Sequence, residues 1–200
     1  MKLDEPVTTL GDYALSMLLI VLGVLTPLMS PAWPSVLWAA GFIASAVAAA
    51  LGGTSHGLGP RLSARLAAQV WRATLLAAVG ANCLLLLAVT IDHAPGALVP
   101  LLVAFAAAKC AFAVALAWRR PEYRVVIYDS AVAIAVVLLV EIARLAEPGA
   151  SWIVAGGVLA TVGALVQRSG FRRSKPWNHN DAYHLIQAAA FYGLFRGATA

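Results

Sequence analysis

The stretch WNHNDAYHLIQ, residues 177–187, places imidazole, amide and carboxylate groups at the start of an apolar segment. Asn180, His184 and Gln187 recur on a helical period, and Asp181 lies one turn before His184. A helix that begins here presents these side chains on overlapping faces. The pattern predicts that His184 is the functional centre of the stretch and that its three polar neighbours serve it.

Three histidines at one depth of the chain predict a metal site, because catalytic zinc sites use three protein ligands and leave a position open for water. We predict that Zn²⁺ is held by His56, His184 and either His179 or Asp181. Asp181 and Asp129 are the candidate catalytic carboxylates, since a carboxylate near such a site orients a ligand or acts on metal-bound water. The predicted supporting residues are Asn180, Gln187, Gln69 and Arg72.

The same groups also have ordinary interpretations. Asn180 and Asp181 suit a helix N-cap and a first-turn carboxylate. His184 alone is compatible with a buried histidine bonded to a neighbour. Lys109 and Asp129 lie deep within apolar segments, so we expect both to face the interior and at least one to find an opposite charge or a water-filled cavity.

Composition predicts the class of protein. The chain of 200 residues is 62% hydrophobic and 12% charged, with a mean hydropathy of +0.83. Soluble domains carry about 25% charged residues, so we predict a polytopic membrane protein made of one domain, residues 1–200. The formal charge of +5 is explained by membrane orientation and anionic lipids, so no nucleic-acid partner is predicted. Membrane lipids are the expected partners, and the sequence leaves open which protein partner the chain has.

Gaps between charged or turn-forming residues divide the chain into seven apolar segments. They run from about Thr9 to Met29, Pro34 to Gly53, Leu66 to Ile91, Gly96 to Trp118, Tyr123 to Leu145, Trp152 to Val166 and Asp181 to Ala198. Alternating strand patterns are absent, so the predicted fold is an all-α bundle of seven transmembrane helices.

Basic residues in the short loops predict the orientation. They cluster in the loops after the second, fourth and sixth segments, at Arg61, Arg65, Arg119, Arg120, Arg124, Arg168, Arg172, Arg173 and Lys175. These loops lie on the side of the N-terminus. The positive-inside rule therefore predicts a cytoplasmic N-terminus and a C-terminus on the opposite face. Nearly all the deep ionisable residues fall in the cytoplasmic half, except Asp92, His93 and Glu141, which predicts a polar cavity near the cytoplasmic leaflet.

Seven segments, a histidine that closes the second and histidines that open the seventh resemble the CREST superfamily. This group includes alkaline ceramidases, adiponectin and progestin receptors and GPI-remodelling lipid hydrolases. The resemblance implies zinc held by one histidine of helix two and two of helix seven, spaced H-x-x-x-H. His56 matches the helix-two ligand and His184 the second histidine of helix seven. Asn180 stands where the other histidine is expected and Gly52 where a serine is expected, and helix three lacks the expected aspartate.

Three functions are compatible with these residues. The first is a zinc-dependent hydrolase of a lipid amide or ester, in which a metal-bound hydroxide attacks the carbonyl carbon. The second is a non-enzymatic accessory subunit or receptor-like lipid-binding protein, whose polar cluster is structural. The third is haem ligation by two histidines on facing helices, such as His56 and His184.

Overall fold

The computed structural model describes residue 3 and residues 5–170, 172–174 and 177–200. Within these ranges the chain forms seven α-helices, one turn of 3₁₀ helix at Gly59–Arg61 and a short hairpin. The helices are α1 (Pro6–Met29), α2 (Pro34–Leu58), α3 (Ala64–His93), α4 (Val99–Arg119), α5 (Tyr123–Ile142), α6 (Ala150–Ser169) and α7 (His179–Ala198). The hairpin pairs β1 (Arg172–Ser174) with β2 (Trp177–Asn178). Lys175, which we counted for orientation, lies outside the described residues.

Local sequence explains where several helices begin and end. Pro6 and Pro34 open α1 and α2, a position where proline's missing amide hydrogen is tolerated. Ser63 caps α3, because its hydroxyl accepts a hydrogen bond from the Leu66 amide at 3.3 Å. Gly170 ends α6 with a φ of 62°, a left-handed conformation that glycine adopts without strain.

Six of the helices form a ring around the interior. α1 packs against α2, α2 against α3, α3 against α5, α5 against α6, α6 against α7, and α7 against α1. α4 lies outside this ring, where it packs against α3 and α5. Successive helices run in opposite directions. We call the end at which α1, α3, α5 and α7 begin the proximal end, and the opposite end the distal end.

Six helices, α1 to α6, are long and apolar enough to cross a membrane. A helix of 20 residues, such as α5 or α6, spans about 30 Å, which matches the hydrocarbon core of a bilayer. α7 has the same length, but the polar side chains in its first turns lower its hydropathy. The prediction of an all-α helical bundle is therefore confirmed, six of its helices could each span a membrane, and the seven-span arrangement stays a prediction.

Small residues bring α6 and α7 into close contact. A β-carbon on Gly156 would lie 2.8 Å from the Ala190 carbonyl oxygen and 3.1 Å from the Leu194 amide nitrogen. A β-carbon on Gly193 would lie 3.1 Å from the Cα of Gly156. The two backbones touch at this crossing, because glycine at both positions leaves room for the close approach.

Candidate functional site

A cavity of about 410 Å³ lies inside the ring of six helices. Apolar side chains such as Leu19, Leu86 and Phe191 line its middle. The fully buried Trp38 lines its distal end. The polar residues of its proximal end include Asp12, His56, Thr74, Tyr123, Gln167, His179, Asn180, Tyr183, His184 and Gln187. Ligand pockets usually enclose about 300–1,000 Å³, so this cavity has room for one small ligand.

His184 and Asp12 face each other at the proximal end, across the contact between α7 and α1. His184 Nε2 lies 3.0 Å from Asp12 Oδ1, and both side chains are buried. The helices come this close because Gly11 has no side chain: a β-carbon there would lie 2.9 Å from His184 Nδ1. Gly53 makes the same room on α2, where a β-carbon would lie 2.9 Å from Asp12 Cβ. An aspartate of the first helix therefore holds the imidazole of the last.

Asp181 contacts other groups than His184. Its Oδ1 accepts a hydrogen bond from the Thr8 hydroxyl at 2.9 Å, and its Oδ2 accepts one from the Asn178 amide at 2.8 Å. Asn178 is the N-cap of α7, and Asp181 completes a capping box with it. The carboxylate thus starts α7 and ties it to α1, and its predicted role beside His184 is taken by Asp12. A catalytic role for Asp181 stays a prediction.

The other two predicted metal ligands lie at the proximal mouth of the same cavity. His56 lies in the last turn of α2, and its Nδ1 lies 3.5 Å from Glu5 Oε2. His179 is the first residue of α7, so the helix does include it. Its Nδ1 is buried and has no hydrogen-bond partner among the described residues. The structure therefore brings His56, His179 and His184 to one end of one cavity.

Two of the four predicted supporting residues also line the cavity. Asn180 lies at its proximal end, and Gln187 lies one turn deeper than His184. Gln187 Nε2 donates a hydrogen bond to the Ala160 carbonyl of α6 at 3.4 Å, so it ties α7 to α6 instead of bonding the imidazole. The stripe of three polar residues predicted on α7 therefore does face the interior.

Gln69 and Arg72, the supporting residues predicted on α3, lie away from the histidines. Gln69 is exposed, and the Arg72 guanidinium lies 5.0 Å from the ring centre of Trp118 on α4. The cavity face of α3 is instead formed by residues such as Trp71 and Thr74. The helical period turns Gln69 and Arg72 to other faces, so a support role beside the histidines does not fit this arrangement.

Asp129 belongs to a separate polar cluster between α3, α4 and α5. It forms a buried ion pair with Lys109, which confirms the expectation that these deep charges face the interior and pair. Asn82 of α3 donates to Asp129 Oδ2 and to Ser130 Oγ, both at 2.8 Å. Of this cluster, Asn82 and Ser130 line the cavity. The contacts of Asp129 are those of a structural ion pair, and its predicted catalytic role stays untested.

The donor atoms of the predicted zinc ligands make other contacts in this structure. His184 Nε2 faces Asp12, and its Nδ1 packs against Gly11. Across the described part of the chain, no group of three histidine, cysteine, aspartate or glutamate side chains is close enough to hold a metal ion. Zinc binding at these histidines stays a prediction.

Asp12 is the site residue that the sequence analysis did not select. Its position, nearly two helical turns inside α1, is also typical of a residue that reaches lipid headgroups. The informative signal was its neighbour Gly11, because a glycine next to a buried carboxylate permits a close helix contact.

Comparisons with known proteins place this arrangement in a family. The family model described as "Family of unknown function (DUF6962)" matches residues 7–200, which include every helix of the ring. No curated protein and no solved structure matches the chain.

Proposed function

We propose that this chain, which belongs to the DUF6962 family, binds a single-chain amphiphilic lipid inside its helical bundle. The observation that carries the proposal is the cavity of about 410 Å³, with an apolar middle and one polar end. An acyl chain matches the apolar walls, because its transfer from water into them is favourable by about 0.8 kcal/mol for each buried CH₂. The volume lies near the lower end of ordinary ligand pockets, which favours one chain over two.

The polar end selects the head group of the lipid. Asp12 Oδ2 is buried and has no hydrogen-bond partner among the described residues. A carboxylate oxygen accepts hydrogen bonds, so it favours a head group that donates one, such as a hydroxyl or an amide N–H. His184 holds the Asp12 side chain in place at 3.0 Å, and His56 and His179 line the mouth beside it. A lipid ester or amide with a free hydroxyl or N–H meets these requirements.

The membrane arrangement follows from the same proposal. α7 is the seventh span, since its 20 residues match the hydrocarbon thickness and its polar first turns face the cavity and α1. The loops at the proximal end carry Arg61, Arg119 and Arg120. The proximal end therefore faces the cytoplasm by the positive-inside rule, and the lipid-binding residues lie near the cytoplasmic leaflet.

Topology can be tested with a reporter enzyme that is active only outside the cytoplasm. Fused after Ala200, it is expected to be active, because seven spans place the C-terminus opposite the N-terminus. Inserted after Arg120, in the loop between α4 and α5, the same reporter is expected to be inactive. If only the Arg120 fusion were active, the orientation of the protein in the membrane would be the opposite of the one proposed. If both fusions were inactive, the two termini would lie on the same side, and α7 would not cross the membrane.

Lipid binding is tested with two probes that share one acyl chain: a monoacylglycerol, which has two free hydroxyls, and the corresponding methyl ester, which has none. We expect the wild-type protein in detergent to bind the monoacylglycerol about 10- to 150-fold more tightly, because one hydrogen bond to a charged acceptor contributes about 1.5–3 kcal/mol. Asp12→Ala is expected to bind both probes equally. The measurement is a titration of a fluorescent version of each probe.

Gln69→Ala is the matched control, because Gln69 is exposed and lies off the cavity. It should keep the preference of the wild-type protein. A second variant, Ala78→Phe, places a bulky ring on the apolar wall of the cavity. It is expected to weaken the binding of both probes to a similar extent. The proposal is wrong if neither probe binds the wild-type protein, or if Asp12→Ala keeps the same preference.

A zinc-dependent lipid hydrolase is the second candidate. The observation that favours it is the convergence of His56, His179 and His184 with Asp12 at one end of the cavity. Metal analysis of the same purified samples separates the candidates, because a zinc site predicts stoichiometric metal that is lost in His56→Ala and in His184→Ala. Zinc that survives both substitutions is bound elsewhere, and an absorption spectrum of the sample reports haem directly.

A further inference from the structure

A second polar cluster lies at the distal end of the bundle, away from the proposed lipid head-group site. His93 Nδ1 lies 2.6 Å from Glu141 Oε1, and His93 Nε2 lies 3.4 Å from Asp92 Oδ2. Glu141 is fully buried, although it ends a membrane-spanning helix. Trp38 Nε1 donates a hydrogen bond to the same Asp92 oxygen at 3.0 Å. One imidazole thus bridges two carboxylates, and one of the carboxylates holds the indole that lines the distal end of the cavity.

The charges of this cluster do not balance without a proton. Asp92 and Glu141 contribute two negative charges, and Arg144, whose Nη1 lies 3.7 Å from Glu141 Oε2, contributes one positive charge. Asp92 is exposed at the rim of the cluster, so water solvates its charge. Glu141 is fully buried and Arg144 lies beyond hydrogen-bond distance of it, so burial disfavours the charged form of Glu141 above all. One proton on the bridging pair, His93 and Glu141, makes the cluster neutral.

The other charged side chains at this end do not supply that charge. Glu147 follows α5 and is exposed, and it would add negative charge. Arg196 of α7 lies with its guanidinium 5.1 Å from the ring centre of Trp152 on α6. The distal halves of α1, α2, α4 and α6 carry no ionisable side chain. The proton is therefore the remaining source of balance.

We propose that Asp92, His93 and Glu141 form a proton-binding site, and that the bound proton keeps Trp38 in place as the distal wall of the cavity. The proton comes from water at the distal face and is shared along the 2.6 Å contact of His93 and Glu141. A protonated His93 attracts the Asp92 carboxylate, and Asp92 in turn accepts the indole N–H of Trp38. When the proton leaves, Asp92 faces a neutral ring and a second carboxylate lies nearby, so the bond to Trp38 loses its support.

The proton itself can be observed near neutral pH in detergent. Nuclear magnetic resonance of protein with ¹⁵N-labelled histidine rings reports whether both nitrogens of His93 carry hydrogen, and the His93→Gln variant assigns its signals. Infrared spectroscopy reports a protonated Glu141, which disappears in Glu141→Gln. Either a charged His93 or a protonated Glu141 supports the proposal. A neutral His93 together with an ionised Glu141 overturns it.

The effect on Trp38 is measured by acrylamide quenching of the fluorescence that Trp38→Phe removes. In the wild-type protein we expect quenching to increase several-fold once the pH is raised far enough to remove the proton. Glu141→Gln should show little change with pH, because a neutral amide leaves the cluster balanced without a proton. Glu147→Gln, an exposed carboxylate of the same end, should behave as the wild type. No pH response in the wild type, or the same response in Glu141→Gln, contradicts the link to Trp38.

Discussion

Replacing Lys109 by methionine is expected to lower the free energy of unfolding in detergent by about 3–5 kcal/mol, because it leaves Asp129 buried without its cation. Asp129 is 5% exposed, so water cannot replace the ammonium group. Asn82 still donates one hydrogen bond to the carboxylate, but an amide dipole does not neutralise its charge. Thermal unfolding followed by circular dichroism is expected to shift by roughly 6–20 °C, at about 2–4 °C for each kcal/mol.

Two further variants separate the charge from the change in packing. Lys109→Met combined with Asp129→Asn removes both charges and should recover most of the lost stability. Arg124→Met breaks an ion pair with Glu122 that is largely exposed, and such pairs contribute about 0–1 kcal/mol. A Lys109→Met protein no less stable than Arg124→Met would mean that the buried pair contributes no more than a surface one.

Gly156→Ala is expected to destabilise the protein by about 1–3 kcal/mol, although alanine favours helices more than glycine does. The added methyl group would meet the Ala190 carbonyl oxygen at 2.8 Å and the Leu194 amide at 3.1 Å. Both are backbone atoms, so the clash is relieved only if α6 and α7 move apart. Since both helices line the cavity, we also expect weaker binding of the monoacylglycerol probe.

The matched control for this variant is Gly80→Ala on α3. A β-carbon on Gly80 meets nothing within 4 Å, so only the helix propensity changes. That change should stabilise the protein by about 0.5–1 kcal/mol. The two substitutions are chemically identical and are expected to differ in sign when unfolding is measured under the same conditions. Equal effects would show that the crossing of α6 and α7 tolerates a side chain.

Helix positions were predictable from the sequence because proline, glycine and charged residues interrupt the apolar segments. The predicted segments and the observed helices begin and end within a few residues of each other for most elements; α2 extends beyond the predicted Gly53 to Leu58. The Lys109–Asp129 pair was also predictable, since a charge deep in an apolar segment needs a partner. These features depend on local sequence or on one strong energetic requirement.

The sequence alone did not predict the order of the helices in the ring. It also did not predict which residue contacts His184. A membrane helix is apolar on nearly every face, so its pattern does not reveal which side meets a neighbour. Asp12 and Asp181 are both carboxylates close to the depth of His184, and the sequence favoured the one on the same helix. In the structure, Asp181 caps α7 by accepting a hydrogen bond from the Asn178 amide. The partner of His184 is therefore Asp12.

Closure of the ring by α1 and α7 has a consequence for how the protein is made. The hydrogen bond from Thr8 to Asp181 joins residues separated by 173 positions, and the His184–Asp12 contact joins the same two helices. At about 5–20 residues per second, a ribosome needs roughly 10–35 s to cover that distance. Throughout that interval Asp12 lies in the membrane without its imidazole. The contact between α1 and α7 therefore does not exist in any shorter nascent chain, and an interrupted synthesis leaves an open ring in which Asp12 lacks its imidazole partner.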